Sequence, residues 1–193
     1  MKKVYLDNAA TTQINPKVVD EMTAVLANSY GNPSSTHFFG RDSKTIIELS
    51  RKFIANIFNT KPKEIFFTSG GTESNNMIIK SCIRHGVERI ITTKIEHKAV
   101  LNPILSLHNN QKVELEFLSI DCEGNPDLNE LKSLLSKPKK TLVSLMHINN
   151  ETGTMIDLES IGCICHSHNA LFHSDTVQTI GHFPLDLSLI NID

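Results

Sequence analysis

Long hydrophobic runs are missing from this sequence. No apolar stretch in its 193 residues approaches the roughly 18 needed to span a bilayer as a helix. An excess of one charge is missing too. The 19 Lys and Arg face 21 Asp and Glu, a formal net charge of −2, which gives no electrostatic footprint for nucleic acid or a membrane surface. Met1-Lys2-Lys3 runs straight into VYLDNAATT, without the apolar segment and small-residue cleavage site of a secretory signal, so a cytoplasmic protein is expected. Cysteine is sparse, at four residues, and no CxxC pair occurs. Cys163 and Cys165 are two apart, which on a helix turns them to different faces. Despite His166 and His168 nearby, they read as ordinary helix residues, and no metal site is expected. Repeats, low-complexity tracts and clear linkers are also absent. The length suits one domain, or one large domain with a small appendage.

The chain instead alternates helix-like and strand-like segments. Helical spacing of apolar residues runs over Pro16 to Leu26 and over Lys44 to Phe58. Asp127, with Glu130 three residues on, resembles a capping box opening a helix through Leu128, Leu131, Leu134 and Leu135. Asp157 is expected to cap another through Leu158, Ile161 and Ile164. Between these lie five short apolar runs, EIFFTS, RIITTK, VELEFLSI, TLVSLMH and ALFHSDT. They have the length and composition of strands covered on both faces. The fold class expected is α/β, a mostly parallel sheet flanked by helices. The first forty or so residues lack a convincing strand and read as an arm or small subdomain.

Ligands of open parallel sheets collect at the carboxyl ends of the strands. Here four of those ends read TSGGT, TTKIEH, MHINNE and HSDTVQ, and all are polar. Gly70 and Gly71 permit a tight turn into a helix opening at Thr72, whose unpaired N–H groups suit a phosphate. Alone, such a turn is more often simple connection. His97 is a flat ionisable ring, able to stack on a planar ligand or move a proton. Asn149 and Asn150 offer amides, and Asp175 and Gln178 close the set. An acid just past a buried strand calls for a cation or several donors. A protonated pyridine nitrogen would meet that need, and pyridoxal phosphate fits the convergence, although spacing alone does not name it.

The ordered motifs YLDNAATT, GNPSSTHFFGR, FFTSGGTESNN, EHKAVL, MHINNETG and HSDTVQTIG resemble the cysteine desulfurases of the NifS/IscS type, class V enzymes of the fold-type I pyridoxal-phosphate group. EHKAVL and GNPSS favour this branch over the SufS-like one. The resemblance implies a fold-type I large domain, truncated, with residues 1–15 as an amino-terminal arm and 16–193 as a partial cofactor-binding domain. It implies that Gly71 and Thr72 bind the cofactor phosphate and that His97 stacks on the ring and shuttles protons. Asp175 would pair with the ring nitrogen, and Gln178 and Asn150 would hold the ring hydroxyl oxygen. Asn150 would also orient the substrate, while Asn8, Ala9 and Ala10 would line the substrate pocket. His97 and Asp175 are the catalytic pair of this set.

The resemblance also implies an activity, conversion of L-cysteine to L-alanine with sulfur passing through an enzyme persulfide to iron–sulfur scaffold or other acceptor proteins, in a homodimer. Two family parts have no counterpart here. The lysine that bonds the cofactor follows a Ser-x-His-type motif just beyond LINID, and the nucleophilic cysteine lies farther downstream. None of the four cysteines matches that context, and Lys94 and Lys98, which flank His97, match no Schiff-base position. The chain reads as the cofactor-binding half of a desulfurase, inactive by itself. The alternatives are another class V activity, an aminotransferase or lyase, and a non-catalytic fragment of a split protein.

Overall fold

A computed structural model describes residues 3–193. Met1 and Lys2 of the expected arm lie outside the described residues. The chain divides into two compact units, Met1–Phe66 and Phe67–Asp193.

The first unit is helical. α1 (Pro16–Asn28) begins where the sequence placed it. Pro16 supplies a preset φ at the first turn, and the Asn15 side chain accepts from Lys17 N at 3.0 Å. α2 spans Phe38–Ile57, so it starts six residues before the expected Lys44. The reason is local. The His37 ring accepts from Gly40 N, and a Cβ on Gly40 would lie 2.4 Å from the Ser35 carbonyl. Only glycine lets the incoming chain cross the new helix that closely. A 3₁₀ turn follows at Pro62–Glu64.

The second unit carries a four-stranded sheet. Its elements are α3 (Gly71–Arg84), β1 (Arg89–Thr92), α4 (Lys98–Asn109), β2 (Glu114–Phe117), α5 (Leu128–Leu135), β3 (Thr141–Ser144), α6 (Leu158–Ser167) and β4 (Leu171–His173). The strands lie in the order β2-β1-β3-β4, and every neighbouring pair is parallel. This is the expected α/β architecture. Successive residues on a strand face opposite layers. Ile90 and Leu142 pack with Ile79 of α3 and with Val100 and Ile104 of α4. Ile91, Val143 and Phe172 pack with Leu131 of α5 and with Leu158, Ile161 and Ile164 of α6. Each fully buried aliphatic or aromatic side chain contributes on the order of 1.5–3 kcal/mol of transfer free energy.

One expected strand does not form. EIFFTS has no strand pairing, and Phe66 and Phe67 are 72% and 51% exposed. A strand is stable only when a neighbour completes its ladder, and no described strand pairs with this segment. Asp127 and Asp157 do cap α5 and α6, through Asn129 N, Glu130 N and Ser160 N. Glu130, however, does not close a capping box. Its carboxylate accepts from Ser119 N at 2.7 Å and pins the chain leaving β2.

α4 holds a buried Pro103. Proline has no N–H for the carbonyl four residues back, and that carbonyl, of Ala99, accepts instead from Asn76 Nδ2 of α3 at 3.5 Å. α3 and α4 are thereby tied together near their amino-terminal ends.

Candidate functional site

In this sheet order, β1 leads through α4 to β2 on one side, and β3 leads through α6 to β4 on the other. Adjacent strands whose connections depart in opposite directions open a crevice at their carboxyl ends. The residues after β1, β3 and β4 meet there.

α3 starts at this edge. Its N-cap, Gly70, has φ 157° and ψ 179° and offers no side-chain cap, a backbone region essentially restricted to glycine. The first turn of α3, with the amides of Gly71 and Thr72, therefore has no side-chain cap from its N-cap residue, an arrangement suited to receiving an anion. The loop before them is braced from within. Glu73 accepts from both the amide and the hydroxyl of Ser69, and the Thr68 and Ser74 hydroxyls share a bond of 2.7 Å. The two hydrogen bonds from Ser69 hold the Glu73 carboxyl below its ordinary range.

Asp175 lies beside that helix and is buried. Its Oδ2 accepts from Asn75 Nδ2 of α3 at 2.7 Å and its Oδ1 from Val177 N at 3.0 Å. A Cβ on Gly71 would come within 2.6 Å of Val177 Cγ2, so the start of α3 fits against the loop after β4. Both donors to Asp175 are neutral. The side-chain ion pairs found among the described residues, Arg51–Glu48 and Lys139–Glu114, involve other groups.

His97 is exposed and is the N-cap of α4. Its Nδ1 accepts from Ala99 N at 3.1 Å, which puts the proton of the neutral ring on Nε2. Lys94 lies over the Phe117 ring. Asn149 is buried and knits the edge: its Oδ1 accepts from Glu151 N and Thr152 N, and its Nδ2 donates to Ile95 O at 2.7 Å. Asn150 is half-buried and donates to Glu151 Oε1 at 2.8 Å. Gln178 is half-buried three residues past Asp175. Gly71, Thr72, His97, Asn150, Asp175 and Gln178 thus all belong to the second unit, at or just past the carboxyl ends of its strands or at the start of α3. Asn8, Ala9 and Ala10 belong to the first unit, in an exposed turn in which Ala10 N and Thr11 N both donate to Asp7 O.

Three buried groups at this edge escaped the sequence reading. Asn75 is 100 residues from the carboxylate it supports, and no local pattern links them. The Glu96 carboxyl is pushed up to about 7 by burial. The reasoning that singled out Asp175, an acid just past a buried strand, applies to it equally. His173 is pushed down to about 4 by burial, against a weaker opposing pull from Asp175. Its Nδ1 lies 2.9 Å from Ser144 Oγ across the β3–β4 pair.

All four cysteines lie in the second unit, with Cys122 exposed and Cys82 half-buried. Cys163 is exposed and Cys165 buried on opposite faces of α6, and burial pushes the Cys165 thiol up to about 12. Among the described residues no cluster of His, Cys, Asp and Glu could hold a metal, and no helix is long and apolar enough to cross a membrane.

Comparison with known proteins gives this geometry a relationship. The family described as aminotransferase class-V matches residues 4–193. A cysteine desulfurase IscS of Dictyoglomus turgidum is 43% identical over all of this chain and 49% of its own length. A mitochondrial cysteine desulfurase of Eremothecium gossypii is 41% identical over all of this chain and 40% of its own. A solved NifS-like protein superposes with a TM-score of 0.93 at 38% identity, over 100% of this chain and 54% of that one. A structure described as SspA in complex with cysteine superposes with a TM-score of 0.92 at 31% identity, over 98% of this chain and 55% of that one. The chain thus spans about half the length of the relatives it matches, and over that half it belongs to the aminotransferase class-V family.

Proposed function

We propose that this chain is the cofactor-binding half of a pyridoxal-phosphate-dependent cysteine desulfurase, which converts L-cysteine to L-alanine and passes the sulfur on through a protein persulfide. The observation that carries the reading is the convergence at one sheet edge of an uncapped helix start, a buried acid and an exposed histidine. Support also comes from relatives named as cysteine desulfurases and from the fold shared with a protein solved with cysteine.

The residues present fit the cofactor. The amides of Gly71 and Thr72 and the Thr72 hydroxyl would bind its phosphate at the positive end of α3. Asp175, buried and hydrogen-bonded to the neutral Asn75 amide and Val177 N, would hold the ring nitrogen protonated. Bound there, pyridoxal phosphate supplies an electron-withdrawing ring that stabilises negative charge at the substrate α-carbon. Asn75 would keep Asp175 aimed at the nitrogen. Gln178 and Asn150 would hydrogen-bond the ring hydroxyl oxygen. His97 would cover one ring face, and with Nδ1 occupied by Ala99 N its Nε2–H is the position that moves a proton. The same proposal includes a homodimer, a cytoplasmic setting and an iron–sulfur scaffold or other protein as sulfur acceptor.

The test is a substrate comparison on the full-length protein. L-cysteine should yield alanine and reductant-releasable sulfur. Consumption of a different amino acid, with cysteine untouched, would replace the desulfurase reading by another class V activity.

A further inference from the structure

Glu96 directly precedes His97 yet turns away from solvent, at 7% exposure. Its Oε1 accepts twice, from Thr93 Oγ1 at 3.0 Å and from Met146 N at 3.1 Å. The first partner lies in its own turn after β1, and the second lies just past β3, fifty residues away. Two other bonds cross the same seam. Thr92 Oγ1 donates to Ser144 O at 2.8 Å, and Asn149 Nδ2 donates to Ile95 O at 2.7 Å. Beyond the strand-end bond of Thr92, the turn carrying His97 is therefore bolted to the chain leaving β3 at two points, Ile95 and Glu96, and Glu96 is the one next to the histidine in sequence. Its Oε2 is buried with no partner among the described residues, on a cavity of about 10 Å³ that Thr93, Asn149 and Thr154 also line.

We propose that Glu96 is a positioning residue for the site: its carboxyl clamps the β1–α4 turn onto the end of β3 and thereby fixes the ring of His97 over the crevice. This rests on the proposed cofactor-binding reading for its consequence, though the clamp itself is a property of the chain. A turn of five residues from Thr93 to His97 has several backbone conformations open to it, and a ring stacked on a ligand must hold its place to a fraction of an ångström. The Ala99 N–His97 Nδ1 bond sets the ring's orientation relative to α4. The Glu96 bonds set the turn relative to the sheet. The state of the carboxyl suits the task. Its second oxygen has no donor among the described residues, which disfavours the anion relative to the neutral acid. Burial, and to a lesser degree the nearby charge of Asp175, favour that neutral form.

The experiment uses the full-length protein with isotope-labelled histidine, first without and then with added pyridoxal phosphate, in wild type, Glu96→Ala, Glu96→Gln and His97→Ala. In the unloaded protein the wild-type His97 signal should be that of a single ordered ring whose Nδ1 is held by Ala99 N. Glu96→Ala should replace it by an averaged signal and weaken pyridoxal-phosphate binding about tenfold, the scale of one or two lost hydrogen bonds. In the His97→Ala background the same substitution should change affinity less than about twofold, since a residue acting through His97 has nothing left to act on. Glu96→Gln keeps the accepting oxygen and should stay near wild type in both readouts. An unchanged His97 signal and affinity in a folded Glu96→Ala protein overturns the proposal. So does an equal affinity loss with and without His97, or a Gln variant as weak as the Ala variant. If wild type binds no pyridoxal phosphate while Glu96→Ala still disturbs His97, the cofactor reading falls and the clamp stands.

Discussion

Replacing Glu96 by glutamine should change how stability depends on pH. Burial raises the carboxyl from 4.5 to about 7. Below about pH 4.5 the group is protonated in folded and unfolded chains alike, and above about 7 in neither. Between those limits only the folded chain holds the proton, so stability falls as pH rises through the window. His173 acts in the opposite direction. It is pushed from 6.5 down to about 4, so between those values the unfolded chain holds the extra proton and stability rises with pH. The two nearly cancel between about pH 4.5 and 6.5, which makes the wild-type curve alone uninformative. Subtracting it from the Glu96→Gln curve isolates the carboxyl. Each tenfold difference in proton affinity between folded and unfolded chains is worth about 1.4 kcal/mol. The variant should therefore gain about 2–3 kcal/mol relative to wild type between about pH 5 and pH 8.5. Urea unfolding of the full-length protein, followed by far-ultraviolet circular dichroism across that range, reads the difference. A difference flat to within about 0.5 kcal/mol would mean that Glu96 ionises normally, and the argument from its burial would be wrong.

Other substitutions probe the supports of the site. Asn75→Ala leaves the buried Asp175 without its 2.7 Å donor and should cost about 1–3 kcal/mol of stability, together with weaker pyridoxal-phosphate binding by titration. No change in either would remove Asn75 from its supporting role. Gly71→Ala pushes a methyl against Val177 Cγ2 and, because Val177 is exposed and can shift, should destabilise by about 1 kcal/mol. Adding Val177→Ala should recover most of that in thermal melts, and a purely additive double variant would contradict the contact. Asp127→Ala removes the α5 cap and should cost about 0.5–2 kcal/mol without altering cofactor affinity.

What the sequence disclosed follows from the range of the forces involved. Caps and helix periodicity are local, so α1 and the caps Asp127 and Asp157 could be read directly. Four of the five apolar runs hold the strands. EIFFTS failed because composition reports fitness for a strand and not the presence of a partner. Strand order was not readable, since nothing in β2 or β3 records that both flank β1. At the site, residue types that betray chemistry at a strand end, His97, Asp175 and the Gly70-Gly71 turn, were accessible. Their supports were not, because Asn75, Met146 N and Asn149 act across sequence separations of 50 to 100 residues. Glu130 shows the same limit on a small scale, as its carboxylate chose Ser119 N over the local cap.

The central claim is that Asp175 sustains the chemistry through a cofactor's ring nitrogen. Its most direct test is the rate of alanine formation from L-cysteine by full-length Asp175→Asn protein, with far-ultraviolet circular dichroism measured on the same sample. Asparagine keeps the shape, its Oδ1 can still accept from Val177 N, and Asn75 can meet its NH2 by turning its own amide oxygen inward, but it carries no charge for a pyridinium. The account predicts turnover reduced at least about a hundredfold with the fold unchanged, the scale of losing one buried electrostatic partner of a reacting group. Turnover near wild type in a folded variant would contradict it.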